Sequence, residues 1–236
     1  MDAALTRKVP CRRFKDGRWR EITDDVAEEV RVTVRLAGVG ACRLFASPID
    51  PEGLALGHAA LDMLGPGRIP VMARAGGLCF DLETAPDTRP EPDPSLPGTL
   101  AAPAMLALVT RFIAAPGLWD GTGCFHRAGL YDPRTDDFVA RAEDIGRHNC
   151  LDRLAGFGLR QGIALPEHIL FLSCRVTASM MEKALRAGLR LIVSRSAVTG
   201  AAVSLAREHG VTLVGFARDA ESRFTVFADA AGRIAA

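Results

Sequence analysis

Short apolar runs alternate with amphipathic segments through the last third of the chain. The runs have the length of buried strands, and they are Ile169 to Leu172, Leu189 to Val193, Val211 to Phe216 and Phe224 to Ala228. Helical spacing fills the intervals 177–187 and 199–209, which end at Gly188 and Gly210. This alternation predicts a parallel sheet with right-handed helical crossovers, in a layered α/β domain.

The first hundred residues predict a smaller unit. Alternating apolar residues indicate strands over 30–36 and 41–46 and a hairpin over 72–84, and Asp50-Pro51 begins a helix that runs to about residue 64. Five prolines alternate with acidic residues over 84–98, which excludes a helix or a central strand there. We therefore expect one domain at 1–98, which ends in this Pro-rich linker, and a second at 99–236. Residues 1–23 yield no structural prediction.

Charge and cysteine usage narrow the classes of function. The chain has 29 basic and 28 acidic residues and a formal net charge of +1, which argues against nucleic acid as a partner. No apolar run approaches the roughly 20 residues that would span a membrane, and no secretory signal is recognisable at the N-terminus. Six cysteines occur singly, without a C-x-x-C pair. These features favour a cytoplasmic protein with reduced thiols.

The segment EDIGRHNCLDR at 143–153 has an unusual density of polar side chains. Cys150, Leu151 and Leu154 share one apolar face, which predicts a helix that begins at Asp144 or Gly146. The residues before this face are candidates to bind a flat, polar anion, and they are Asp144, Gly146, Arg147, His148 and Asn149. A histidine with a purely structural role at the helix start is the alternative for His148.

Three loops follow the predicted parallel strands, at 173–177, 194–199 and 217–219. Loops at the carboxyl ends of such strands are the usual ligand sites of α/β sheets. Each loop combines a basic residue with hydroxyls or an acid, which suits a phosphate group, and Arg175, Ser196 and Arg218 are our candidates. Ordinary helix capping by Thr177 and Thr199 is the alternative for any one loop.

Cys124 and His126 lie two residues apart, directly after the flexible Gly121-Thr122-Gly123 turn. A histidine beside a thiol can favour the reactive thiolate, so the pair is a candidate catalytic site. A loop cysteine without a role is the alternative. The chain lacks the H-x-E and P-C-x-x-C signature of zinc deaminases and has no phosphate-binding Walker loop, so we expect no metal.

Several segments together resemble the FdhD family of formate dehydrogenase accessory sulfurtransferases. They are TGCFHRAGLYD (122–132), EDIGRHNCLDR (143–153), SCRVTASMMEKALRAG (173–188), SRSAVTGAAVSLAREHGVTLVGFAR (194–218) and, more loosely, ASPIDPEGLALGHAALDML (46–64). The resemblance implies a small α/β roll followed by a cytidine-deaminase-like three-layer α/β/α domain without the deaminase zinc.

The resemblance also implies an activity. Members of the family accept sulfur from a cysteine desulfurase as a persulfide and pass it to molybdenum held by two molybdopterin guanine dinucleotides, before this cofactor enters the catalytic subunit of formate dehydrogenase. GDP is then a partial mimic of the bound cofactor, and a homodimer is expected. The cofactor-binding run of the family maps onto Phe216, Ala217, Arg218 and Asp219.

One departure from the family pattern leaves the activity open. The family's C-G-x-C-G loop falls where this chain has the cysteine-free, Pro-rich stretch 85–98. One hypothesis is a sulfur carrier in which Cys124 bears the persulfide, because a single exposed thiol of low pKa suffices for thiol exchange. The other is a non-catalytic chaperone that binds or inserts the molybdenum cofactor. An unrelated nucleotide hydrolase is a third hypothesis, and the missing metal and base disfavour it.

Overall fold

The computed structural model describes residues 5–218 and 221–235. It begins with a hairpin of two ten-residue strands, β1 (Thr6–Lys15) and β2 (Arg18–Ala27), which pair only with each other. The hairpin turns at Asp16 and Gly17, which both have positive φ. The sequence of this segment predicts no element, because charged residues interrupt its apolar pattern.

The first unit is a four-stranded sheet covered by one helix. Its elements are β3 (Val30–Leu36), β4 (Gly40–Ala46), α1 (Pro51–His58), a π-helical turn (Ala59–Met63), β5 (Arg68–Gly76) and β6 (Cys79–Pro86), with strand order β4-β3-β6-β5. Asp50 caps α1 by accepting from the Gly53 N–H, as its position before Pro51 predicts. Val32, Val34 and Leu82 fill the core between this sheet and α1.

The Pro-rich segment is exposed along most of its length, as the sequence predicts, but it is anchored at one point. Arg190 donates to the carbonyls of Asp93 (2.9 Å) and Leu96 (3.0 Å), and Glu167 accepts from the Asp93 N–H. Arg190 immediately precedes β11, and Glu167 lies two residues before β10. The anchored part of this segment therefore lies at the amino ends of those strands.

The second unit is built on a six-stranded sheet. Its elements are β7 (Leu100–Ala101), α2 (Ala102–Ala114), α3 (Trp119–Thr122), β8 (His126–Asp132), β9 (Asp137–Asp144), α4 (Arg147–Gln161), a 3₁₀ turn (Leu165–Glu167), β10 (Ile169–Leu172), α5 (Ala178–Arg186), β11 (Leu191–Ser194), α6 (Gly200–Glu208), β12 (Thr212–Arg218), β13 (Arg223–Ala228) and β14 (Ile234–Ala235). The order is β13-β12-β11-β10-β8-β9, in which β10, β11 and β12 are parallel. The predicted parallel pairing is confirmed for β10, β11 and β12, whereas the fourth predicted strand, at 224–228, is β13 and pairs antiparallel with β12.

Helices cover both faces of this sheet. The larger core contains Leu151 of α4, Met181 of α5 and Ala206 of α6 against one face. Met105 and Phe112 of α2 pack on the other face. The three layers confirm the α/β fold class, and no helix among the described residues is long and apolar enough to cross a membrane.

The burial of one histidine differs from what the sequence predicts. His168 directly precedes the apolar run 169–172, an element boundary where we expect a side chain that faces solvent, but it is 3% exposed. Its Nδ1 lies 2.8 Å from the Ala164 carbonyl, and its Nε2 lies 3.8 Å from an Asp132 oxygen. The burial arises because the 3₁₀ turn folds the chain over the start of β10, which a local sequence pattern does not reveal.

Candidate functional site

Five chain segments meet at the carboxyl ends of the parallel strands, and we call this the carboxyl edge (residues 122–126, 144–149, 173–177, 194–199 and 216–218). The first two belong because β8 runs antiparallel to β10 and begins at this edge, whereas β9 ends there. Main-chain bonds join the other three loops: Val176 donates to Ala197, Thr199 to Val176 and Phe216 to Ser196. The edge thus brings together the predicted site segments, which are spread over residues 122–218 of the sequence.

Three helices begin at the carboxyl edge. The N-cap residues are Gly146 for α4, Thr177 for α5 and Thr199 for α6, and only Thr199 accepts a capping hydrogen bond through its side chain. Free N–H groups and the helix dipole make such ends favourable for an anion. The capping alternative therefore holds for Thr199 but not for Thr177.

Two of the predicted contact residues are buried beneath the edge. Asp144 is 0% exposed and accepts hydrogen bonds from Gly146 N (2.8 Å), Asn149 Nδ2 (2.8 Å) and Arg153 Nη2 (2.5 Å). Asn149 Nδ2 also donates to the Phe45 carbonyl at 2.8 Å. Both side chains are occupied by protein groups, so their geometry fits positioning of the α4 N-terminus rather than contact with a ligand.

Two arginines at the edge have buried donors without acceptors. Among the described residues, the buried side-chain nitrogens without a hydrogen-bond partner are Arg127 Nη2, Arg147 Nε and Arg195 Nε. Arg127 Nη2 lies 2.8 Å from Glu143, so its charge is compensated. A buried unsatisfied donor is costly, so Arg147 and Arg195 point to an anionic ligand. Arg195 is not among the candidates predicted from the sequence, where Ser196 represents the second loop, although Arg195 is the only basic residue of that loop.

Both histidines of the edge are half-buried and mainly neutral near pH 7. Burial lowers the pKa of His126, and the Arg147 and Arg175 charges lower it further. Burial likewise lowers the pKa of His148, followed by Arg147 and Lys183, and His148 Nε2 lies 3.0 Å from Ser179 Oγ. Neutral imidazoles can accept a proton, which is the state required of a base beside a thiol.

Cys124 is the one exposed thiol at the edge. Its N–H donates to Thr122 Oγ1 at 3.2 Å, after Gly123 in the left-handed conformation at the end of α3. Cys150 and Cys174 also lie near the edge, but they are buried. Burial raises the pKa of Cys150 well above its ordinary value and that of Cys174 to about 11, so both hold their protons.

The third loop contains a residue in an unusual backbone conformation. Phe216 has φ 50° at an irregularity in the pairing of β12 with β13. Non-glycine residues adopt this region at a cost, and such positions cluster at functional sites. The guanidinium carbons of Arg218 and Arg223 lie 5.7 and 5.8 Å from the centre of its ring.

The other predicted residues of the edge differ in exposure. Arg175 is exposed, Ser196 is half-buried and Ala217 is 0% exposed, so only the first two present side chains outward. Arg218 pairs with Glu221 at 2.7 Å. Asp219 lies outside the described residues.

Comparison with known proteins identifies the family. The model of the FdhD/NarQ family matches residues 74–235. The chain belongs to this family. A protein of Bordetella parapertussis named sulfur carrier protein FdhD is 32% identical over 239 residues, which cover 85% of this chain and 84% of that protein. A Staphylococcus aureus protein of the same name is 37% identical over 121 residues, covering 51% of this chain and 45% of that protein.

A solved structure supports the fold of the FdhD/NarQ chain. It is the crystal structure of a Desulfotalea psychrophila protein proposed to be a formate dehydrogenase accessory protein. The TM-score is 0.80, with 98% of this chain and 100% of that chain covered, at 22% identity. The likeness therefore extends over both units and the N-terminal hairpin.

A partly buried charge cluster joins the two units of this family member behind the edge. His58 of α1, Asp62 of the π-helical turn and Asp152 of α4 have ligand atoms within 4.8 Å of one another. The ammonium of Lys183 on α5 lies 2.6 Å from both carboxylates and takes the place of a cation there. A cavity of about 170 Å³ adjoins the cluster and also has His148 in its wall.

The charge cluster predicts how stability depends on pH. Burial alone would lower the pKa of His58, but its hydrogen bonds to Asp152 and Asp62 raise it to about 9, above the ordinary 6.5. Protonated His58 therefore stabilises the fold fully below pH 6.5, and this contribution of about 3 kcal/mol is lost as the pH rises through 9.

Urea unfolding of His58→Gln and wild type between pH 6.5 and 9.5 measures this contribution. We expect the difference in unfolding free energy to be largest at pH 6.5 and to shrink towards pH 9.5, while Lys183 and Arg186 keep Asp62 and Asp152 paired throughout. The exposed His209 is the matched control, and His209→Gln should follow wild type. If the unfolding free energies of His58→Gln and wild type change in parallel with pH, the imidazole carries no charge at neutral pH.

Proposed function

We propose that this chain carries sulfur as a persulfide on Cys124. The observation behind the proposal is that Cys124 is the exposed thiol at an edge lined by arginines and neutral histidines. Relatives that span most of the chain are named sulfur carrier proteins, which supports the same role here. The proposed recipient of this sulfur, which we call the cargo, is a molybdenum cofactor with guanine dinucleotides. The cofactor is then inserted into the catalytic subunit of a formate dehydrogenase.

Sulfur reaches Cys124 by thiol exchange. The Cys124 thiolate attacks the outer sulfur of a donor persulfide, the sulfur–sulfur bond of the donor breaks, and the donor leaves as a thiolate. The outer sulfur keeps its hydrogen and is then bonded to Cys124 Sγ, so the exchange needs no added oxidant. Neutral His126 accepts the proton of the resting thiol. A cysteine desulfurase is the protein donor that fits this chemistry.

The carboxyl edge supports binding of the phosphates of the cargo. Arg147 and Arg195 supply unpaired guanidinium donors, and three helix N-termini add main-chain N–H groups. The half-buried ring of Phe216 offers a flat apolar surface beside two guanidinium groups. GDP contains the guanine and diphosphate parts of the cargo and is therefore the probe of choice. A homodimer and a cytoplasmic site of action stay predictions.

The sulfur-carrier proposal predicts a persulfide on one cysteine. After incubation with a cysteine desulfurase and cysteine, intact-protein mass spectrometry should show an added mass of about 32 Da, one sulfur atom. Cys124→Ala should abolish the adduct, because Cys150 and Cys174 are buried and protonated. Cys79→Ala is the matched control, since Cys79 is exposed on β6, outside the edge. An adduct that persists on Cys124→Ala would contradict the proposal.

A second candidate function is a cofactor chaperone without persulfide chemistry. It is favoured by the Pro-rich segment, which has no cysteine and is anchored at the amino ends of the strands, opposite the carboxyl edge. The same mass measurement decides between the two functions. No adduct on wild type, together with intact GDP binding, would establish the chaperone and remove the sulfur carrier.

The binding part of the proposal predicts a loss of GDP affinity in arginine variants. Arg147→Ala and Arg195→Ala should each weaken GDP binding by about 1.5–3 kcal/mol, because each removes charge-assisted hydrogen bonds. Arg218→Ala should weaken GDP binding less than these two variants, since Arg218 already pairs with Glu221. Isothermal titration calorimetry measures these affinities, with Arg111→Ala of α2, which covers the opposite face of the sheet, as control. Unchanged affinity in Arg147→Ala and Arg195→Ala would rule out phosphate binding at this edge.

A further inference from the structure

The N-terminal hairpin, which we call the arm (residues 6–27), projects from the body with little support. Its strands pair only with each other, and nearly all of its residues are half-buried or exposed. A two-stranded hairpin is marginally stable by itself in water. The arm therefore gains little from folding onto its own body, which suggests that its surface serves contact with another molecule.

The two faces of the arm tip have different chemistry. Phe14 and Trp19 lie opposite each other on one face, are 59% and 61% exposed, and have ring centres 5.3 Å apart. Arg12 lies over the Trp19 ring at 5.0 Å. Large exposed aromatic side chains beside a cation are typical of protein-interface anchors.

The opposite face of the tip is basic. Arg13 lies directly opposite Arg20, and Lys15 directly opposite Arg18. Like charges at such positions destabilise a strand pair. Within the described part of the chain, Lys15, Arg18 and Arg20 form no ion pair, although Arg13 pairs with Asp24. An acidic surface brought against this face would relieve the repulsion.

The base of the arm is close to charge-balanced. Five carboxylates follow the tip, at Glu21, Asp24, Asp25, Glu28 and Glu29, and Arg12, Arg13 and Arg7 pair with Glu21, Asp24 and Glu28. A continuous polyanion such as a nucleic acid would pass from the basic tip onto a surface without excess positive charge, where Asp25 and Glu29 repel it. A compact acidic patch on a protein matches the basic tip without this repulsion.

The arm is also close to the proposed sulfur-carrying thiol. Strand β2 lies against α3, and α3 leads through Gly123 directly to Cys124. We infer that the arm is the docking element for a protein sulfur donor whose surface has an acidic patch next to an apolar pocket. The inference rests on the proposed function and names the surface chemistry of the partner. A donor held by the arm is presented to Cys124.

Charge reversal at the tip tests the inference with the full-length protein and a cysteine desulfurase as the probe. Lys15→Glu/Arg18→Glu should slow persulfide formation on Cys124 tenfold or more at low salt. The difference in rate between this variant and wild type should decrease as salt screens the charges. Phe14→Ser/Trp19→Ser should also slow transfer, but by a factor that salt does not change. Arg31→Glu/Arg74→Glu is the matched control, because both arginines are exposed on the first sheet and the charge change is the same.

A small donor separates docking from chemistry. Glutathione persulfide needs no docking surface, so all arm variants should accept sulfur from it at the wild-type rate. Equal slowing with both donors would overturn the inference, because the arm would then act on the structure around Cys124. Wild-type rates with the desulfurase would overturn it as well.

Binding measured without transfer separates this inference from the proposed function. In a Cys124→Ser background, Lys15→Glu/Arg18→Glu should raise the Kd for the desulfurase at least tenfold. If wild type takes up no sulfur but this affinity loss is observed, the docking role stands and the carrier function fails. If the charge reversal dissociates a wild-type dimer and leaves the desulfurase affinity unchanged, the arm contacts a second copy and the inference is overturned.

Discussion

Replacing Gly156 with alanine is expected to lower the free energy of unfolding by about 3 kcal/mol. Gly156 of α4 faces α1 at a point where the two helix backbones touch. A Cβ atom added there would lie 1.9 Å from the Gly53 carbonyl oxygen, and one added to Gly57 would lie 1.7 Å from the Asp152 carbonyl oxygen. Backbone atoms have no alternative rotamer, so the helices would have to separate.

Helix propensity opposes this loss but does not outweigh it. Alanine in a helix interior is favoured over glycine by about 1 kcal/mol, which is smaller than the expected cost of the clash. Chemical denaturation of Gly156→Ala and wild type measures the net effect. Gly200→Ala is the matched control, because Gly200 lies in α6 with nothing within 4 Å of an added Cβ. A Gly156→Ala protein at least as stable as wild type would show that the two helices do not cross this closely.

The close crossing also bears on the site. Helix α4 begins with Arg147 and His148 at the carboxyl edge, and its contact with α1 fixes the position of that end relative to the first unit. Small residues at 53, 57 and 156 are therefore needed for the geometry of the edge as well as for stability. The role of these glycines could not be predicted from the sequence, because a close approach between two helices about 100 residues apart leaves no local pattern.

Local patterns predicted most of the elements. The strand at 169–172 matches β10 residue for residue, and the helices predicted at 177–187 and 199–209 differ from α5 and α6 by one residue at each end. These elements are short and apolar on the buried side, and a glycine follows each of the two helices, so their patterns are unambiguous. The arm was missed because strands with two exposed faces lack an apolar alternation.

The direction of individual side chains was less predictable. Asp144 and Asn149 stand in the polar motif beside Arg147, yet they turn inward to bind Ser47, Phe45 and Arg153. Ser47 and Phe45 belong to the first unit and lie about 100 residues away in sequence. Only the tertiary structure decides which polar residues of a motif face the ligand and which hold the motif in place.

Removal of the Asp144 carboxylate is expected to destabilise the protein by about 3–5 kcal/mol. Asp144 and Arg153 form a buried ion pair, with side chains 0% and 4% exposed. Arg153 Nη2 also donates to the Ser47 carbonyl at 2.9 Å, and Nη1 donates to the carbonyls of Ile49 and Asp50. Asp144→Ala would leave this guanidinium buried without its counter-charge, whereas Asp144→Asn retains an acceptor and should cost less.

A double-mutant cycle measures the coupling of the pair. Asp144→Ala/Arg153→Met should be less destabilising than the sum of the single variants by about 1–3 kcal/mol, since the double variant leaves no unpaired charge. If the stability losses of the two single variants sum to the loss of the double variant within about 0.5 kcal/mol, the result would contradict the ion pair. The GDP affinity of folded Asp144→Asn then separates the structural role from the predicted ligand contact. A buried positioning residue should leave that affinity within about twofold of wild type, whereas loss of a direct charged contact would weaken it about tenfold or more.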